Sequence, residues 1–149
     1  MVQPDSAGTD TRPDFQLGHH YSKTKYTVVE FNLNGWFTQK SPHYLQFKRD
    51  ILEFLNADFL ILPEIHCVNP QQKIEIENYT VFQNNRNNAN NRNKGSGGIA
   101  IAIKNTILEQ HTIISVFNGD YDGQLGIKLK NRLTDFVIGL VGLYLSPSN

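Results

Sequence analysis

Apolar residues along this chain follow two rhythms, and the switch between them marks out its elements. "YTVVEFN" (26–32) is dense in β-branched and aromatic side chains and reads as a strand. It stops at Asn34-Gly35, a turn dipeptide whose residues both tolerate positive φ. In "SPHYLQFKRDILEFLNAD" the period changes, and Tyr44, Phe47, Ile51, Leu52 and Leu55 recur at helical spacing. Ser41 is the expected N-cap, Pro42 suits the first helical position, and Asn56 suits a left-handed end. Gln46, Lys48, Arg49 and Glu53 are expected on the solvent side. "FLILP" (59–63) lacks alternation, as a strand covered on both faces does. Strand, helix and strand predict a βαβ unit, which places ligands at the carboxyl ends of its strands.

Farther on, "YTVFQNN" (79–85) predicts a strand that runs into an asparagine-rich loop. Seven of the ten residues from Asn84 to Asn93 are asparagine, with Arg86, Arg92 and Lys94 adding positive charge, so no core forms there. "GGIAIAI" (97–103), "TIISVF" (112–117), "QLGIKL" (124–129) and "FVIGLVGLYL" (136–145) predict a β-meander, with "NGDYDG" as its clearest turn. Gly97-Gly98 suggests a bulge or a close backbone approach. "FVIGLVGLYL" is apolar on both sides and expects cover on both faces, so an uncovered face would make the chain marginal or sticky. Residues 1–24 are polar and broken by proline and glycine, and predict a flexible tail. His19 and His20 could be half of a metal site, although neighbouring histidines in a tail are more often just solvated. Residues 25–149 form the folded unit. The class is α/β, with a mixed sheet, a βαβ start, a meander and the helix outside.

Composition narrows the chemistry. The 149 residues suffice for one domain, and 14 basic residues balance 14 acidic ones. A neutral chain has no global pull toward nucleic acid, so any phosphate contact is local. One cysteine, Cys67, excludes an internal disulfide and a cysteine-rich zinc site. The N-terminus has no apolar signal-peptide core, and the longest apolar run, Phe136 to Leu145, is too short to span a bilayer. An intracellular protein, nuclear or cytoplasmic, is the expectation.

Polar residues cluster where a parallel strand pair does its work. Asn32 and Asn34 follow the first strand, and Glu64 and His66 follow the second. Taken singly, Glu64 could be a solvated strand end, Asn32 strand punctuation, His66 a surface residue and Tyr144 a half-buried aromatic. Together, at the ends of three predicted strands, they point to a site. A carboxylate at the mouth of an apolar strand is costly unless a cation meets it, and a divalent cation would also serve phosphoester chemistry.

"N-L-N-G" (32–35), "E-I-H" (64–66), "GSGGIAIAIKN" (95–105) and "YLSPS" (144–148), in this order, resemble the endonuclease/exonuclease/phosphatase superfamily. The resemblance spans roughly Tyr26 to Asn149 and is nearest the endonucleases of non-LTR (LINE-type) retrotransposons, relatives of abasic-site endonucleases. It implies a four-layer α/β sandwich of which this chain is the N-terminal part. It implies that Asn32, Glu64 and Tyr144 are catalytic, with Glu64 the metal ligand and Tyr144 touching the scissile phosphate. Asn34 and His66 fall near substrate. The implied cofactor is Mg2+, with Mn2+ able to substitute, and the implied partner is DNA. No membrane is implied, and further domains such as a reverse transcriptase would follow. Pro63 and Ile65 stand where the family has Gln and Thr, which alters the support around Glu64.

Neither "G-D-x-N" nor "S-D-H", which bring the family's general base and catalytic histidine, occurs in this sequence; "GDYD" (119–122) reads as a hairpin turn. The expectation is therefore the first half of a Mg-dependent phosphodiesterase that nicks DNA, inactive in this form. The alternatives are a non-catalytic remnant or binding module, or a phosphoesterase of the same superfamily acting on RNA or on a lipid or inositol phosphate.

Overall fold

The computed structural model describes residues 25–36, 42–67, 71–85, 97–121 and 123–145. The predicted tail, the N-cap Ser41 and the basic, asparagine-rich segment 86–96 lie outside the described residues. Strand β1 (Val28–Glu30) leads through α1 (Pro42–Leu55) to β2 (Phe59–Pro63), and β1 and β2 pair in parallel. Register is fixed at their start. Asp58, almost wholly buried, accepts from both the backbone N–H (2.8 Å) and the hydroxyl (3.1 Å) of Thr27. α1 ends as expected, with Asn56 in the left-handed region at φ 45°.

β3 (Tyr79–Asn84) and β4 (Ile99–Lys104) complete a four-stranded mixed sheet in the order β1-β2-β4-β3. A six-residue helix, α2 (Asn105–Gln110), connects it to an antiparallel sheet of β5 (His111–Asn118), β6 (Gln124–Asn131) and β7 (Val137–Leu143). Two expectations change here. β4 belongs to the first sheet rather than to the meander, and the α2 segment was not anticipated as a helix. "IAIAI" alternates large and small residues because both of its faces are covered differently. Ile99, Ile101 and Ile103 fill the space between the sheets, while Ala100 and Ala102 face the α1 side, where a helix must come close. Leu60 and Leu62 join that outer core, and Phe59 joins the inner one. The layers are helix, mixed sheet and antiparallel sheet.

The helix face also differs from the pattern. Leu52 and partly buried Leu45 reach the core, whereas Tyr44, Phe47 and Phe54 are exposed. Lys48, expected in solvent, is 3% exposed. It lies on the Leu45–Leu52 stripe, three residues from one and four from the other, so the helical turn carries it inward. The two apolar stripes of α1 compete in the sequence, and packing selects the narrower.

The antiparallel sheet packs one face inward. Leu125, Ile127 and Leu129 interlock with Leu140, and Gly142 admits Ile99, whose Cδ1 would lie 2.7 Å from an added Cβ. Its outer face carries Phe117 (61% exposed), Val141 (64%) and Leu143 (62%), so β7 is covered on one side only among the described residues. At the far end, buried His111 joins the sheets. Its Nδ1–H donates to the Ile107 carbonyl (2.8 Å) and, in the neutral ring, Nε2 accepts from the Tyr26 hydroxyl (3.2 Å). No helix among the described residues is long and apolar enough to cross a membrane.

Candidate active site

β2 stops at Pro63, and the next turn of chain is unusual. Glu64 (φ 56°) and His66 (φ 52°) both occupy the left-handed region, with fully buried Ile65 between them. Each such residue costs about 1 kcal/mol outside glycine, so the surroundings must impose the shape. Two motifs do so from opposite sides. Gly35 N–H donates to the Glu64 carbonyl (2.7 Å) and Trp36 N–H to the Ile65 carbonyl (2.9 Å). Ile65 N–H reaches the Gly98 carbonyl (3.4 Å) and His66 N–H the Gly97 carbonyl (3.0 Å). The "N-L-N-G" and "G-G" stretches are thus the jaws of a clamp on Glu64–His66. Gly97 and Gly98 are themselves at φ 83° and 77°, and a Cβ on Gly98 would sit 2.8 Å from Ile65 Cγ1.

Side chains then meet across the two sheets. The Tyr144 hydroxyl donates to Oε1 of Glu64. The other carboxylate oxygen, Oε2, lies 3.9 Å from His66 Nε2. Tyr144 is held by its own N–H, which donates to the Gly123 carbonyl (2.7 Å). A Cβ at Gly123 would lie 2.0 Å from the Tyr144 carbonyl oxygen, so only glycine fits that crossing. Asn32 contributes differently, through the backbone. Its Oδ1 accepts from Asn34 N–H (2.8 Å) and closes the turn in which Asn34 takes φ 46°. Leu33 N–H donates to the Pro63 carbonyl (3.1 Å), which keeps Asn32 beside the end of β2. Both asparagines are exposed, and neither amide hydrogen-bonds the Glu64 carboxylate among the described residues. Glu64, Tyr144 and His66 are brought together; Asn32 and Asn34 form the rim.

Burial pushes the His66 imidazole below its ordinary value, Glu64 pulls it back up, and the Lys48 ammonium lowers it further. His66 is therefore neutral at pH 7 and does not neutralise Glu64. No lysine or arginine lies within ion-pair distance of the Glu64 carboxylate among the described residues. A partly exposed carboxylate without a cation suits Mg2+, which takes one or two carboxylates and completes its shell with water and substrate phosphate. No cluster of three or more acidic, histidine or cysteine side chains occurs among the described residues, so a closed all-protein metal cage does not fit.

Lys48 is the residue that the sequence pattern missed. Its Nζ donates to the Gly35 carbonyl and sits 4.4 Å from the Tyr44 ring centroid. The signal was present in its spacing from Leu45 and Leu52, but lysine at a core position is rare enough to override it.

Cys67, 2% exposed and next to this turn, has its thiol pushed up from 9.0 to about 11 by burial, against the lowering effect of Gln83. The folded state thus keeps a proton that the unfolded state loses above pH 9, so stability contributed here is present below pH 9 and falls as pH rises toward 11. A thiol reagent at pH 8 should label Cys67 slowly in the folded protein and promptly in denaturant, as followed by absorbance. Equal rates would show the side chain to be accessible.

Open grooves elsewhere lie at the opposite end, between α1, residues 75–78 and the start of α2, with Glu53, Glu77 and Asn78 common to both. They touch none of the residues above.

The architecture is part of an α/β sandwich, with a mixed sheet, an antiparallel sheet and the helix outside. Among solved structures, the chain is similar to TDP2 from C. elegans, at TM-score 0.51 and 14% identity. The match covers 89% of this chain and 39% of that one, so the chain spans well under half the length of its structural neighbour. No protein-family model and no curated protein matches the sequence.

Proposed function

We propose that this chain carries the metal-binding and phosphate-orienting half of a Mg2+-dependent phosphodiesterase site acting on DNA, of the retrotransposon endonuclease type. One observation carries the reading: residues 80 positions apart, from two different sheets, place a phenol on a carboxylate at the open ends of their strands. The fold likeness to TDP2 fits a phosphodiesterase-like reading in general, and the "N-L-N-G", "E-I-H" and "YLSPS" stretches favour DNA as substrate and the retrotransposon type.

Glu64 would hold the ion through the carboxylate. Bound there, Mg2+ (or Mn2+) would offset the charge that builds on the phosphate and the leaving oxygen. The Tyr144 hydroxyl donates to Glu64 in the free protein, and would turn its one O–H to a phosphate oxygen when substrate arrives. Neutral His66 offers one donor and one acceptor beside the same carboxylate. Asn32 and Asn34 present amides at the rim, where they could steady the flanking backbone of the nucleic acid. The "G-D-x-N" and "S-D-H" motifs that bring the superfamily's general base and catalytic histidine do not occur in this sequence, so this chain by itself is expected to bind metal and turn over little.

Titration with Mn2+, followed by water-proton relaxation, tests the reading. The chain should bind a single ion, weakly, and Glu64→Gln should abolish that binding. Equal binding by both proteins would remove Glu64 from the metal site.

A further inference from the structure

Buried cations need a reason, and Lys48 has few partners. It is 3% exposed, burial alone holds its ammonium below the ordinary lysine value, and no carboxylate pairs with it among the described residues. Its one hydrogen bond goes to the carbonyl of Gly35. The face of Tyr44, one turn earlier on α1, supplies the remaining compensation.

That carbonyl belongs to the turn that grips Glu64. Gly35 takes φ 86° and donates its own N–H to the Glu64 carbonyl, while the next residue, Trp36, donates to Ile65. The connection runs from the helix ammonium to Gly35 and on to the Glu64 backbone without a gap. A left-handed Asn-Gly pair is intrinsically mobile because both residues have alternatives of similar energy. Asn32 secures its near side through Asn34 N–H, and Lys48 secures its far side.

We infer that Lys48 is a positioning residue: a buried latch from helix α1 that holds the Asn34–Gly35 turn closed on Glu64, and so sets where the carboxylate stands. This rests on the reading of Glu64 as the metal ligand, but the latch itself is testable without it. A hydrophobic stem crosses the core, and a charged end makes a stronger hydrogen bond to a carbonyl than a neutral one could.

Three variants separate the roles: Lys48→Met removes the donor, Lys48→Gln keeps a neutral one, and Lys48→Arg keeps the charge. Amide exchange by NMR is the direct readout. In Lys48→Met, the Gly35 and Trp36 amides should exchange about tenfold faster or more, while Ile101 and Ala102 in β4 keep their protection. Trp36, the only tryptophan and 1% exposed, should become more accessible to acrylamide. Lys48→Arg should restore both signals, and Lys48→Gln should fall between. Mn2+ affinity should weaken roughly 10-fold in Lys48→Met, as for the loss of a group that orients a ligand. Unchanged exchange at Gly35 and Trp36 in Lys48→Met would overturn the latch, as would a loss spread evenly over β4. If the parent chain binds no Mn2+, the metal reading fails, and the exchange data still judge the latch.

Discussion

Plasmid DNA should stay supercoiled when Glu64→Gln replaces the parent residue in any form of this protein that nicks it with magnesium. The substitution keeps the shape of the side chain and its ability to accept from Tyr144, but removes the charge that would attract a divalent ion. The expected loss is on the order of 100- to 1,000-fold in nicking rate, the size seen when one preorganised electrostatic contact is removed. Tyr144→Phe leaves the charge and takes away one donor, so a smaller loss of about tenfold is expected. The ordering matters more than either value. If Tyr144→Phe cost more than Glu64→Gln, the carboxylate would be serving the phenol and not a metal. If neither changed the rate, phosphoester cleavage would take place elsewhere on the protein.

Gly98→Val should be strongly destabilising. Three costs add at one position. The φ of 77° disfavours any side chain, and a β-branched one most. The added Cβ meets Ile65 Cγ1 at 2.8 Å and the Asn84 carbonyl oxygen at 3.2 Å. Ile65 cannot step aside, because it is fully buried and its backbone is clamped by four hydrogen bonds to its own and adjoining residues. Strain of this kind with overpacking comes to about 3 kcal/mol or more, which urea unfolding would resolve. Gly139→Ala is the control. A Cβ there meets nothing within 4 Å, so its effect should stay within about 0.5 kcal/mol. A Gly98→Val protein as stable as the Gly139→Ala one would mean that the close approach at Ile65 does not exist in solution.

Much of this was written locally in the chain. The β1–α1–β2 unit was legible because its periods differ and Asn34-Gly35 and Asn56 punctuate it, and each residue took the left-handed φ its type allows. Gly97-Gly98 was legible as a close approach for the same reason. What the sequence could not give was partnership. "IAIAI" shows a large–small alternation whichever sheet it joins, and only the pairing with "FLILP" places it between β2 and β3. The α2 segment is too short for a periodic signal. Lys48 was misplaced because a lysine is assigned to water unless something buried needs its charge, and the Gly35 carbonyl is visible only after folding. Asn32 was expected to serve the site with its amide, but that amide's oxygen is used to shape the turn. Glu64 and Tyr144 were paired by the order of strand ends, while the strained backbone beneath Glu64 left no trace in residue type, since glutamate rarely adopts it.

The bond between Tyr144 and Glu64 spans the seam between two sheets, and neither sheet needs it to form its own ladders. Its chain closure is among the longest for a hydrogen bond among the described residues, so in refolding it should be made late, after the sheets have docked through Ile99 and Gly142. Chemistry at this position would thus act as a check on assembly: a half-docked intermediate has both residues and no site.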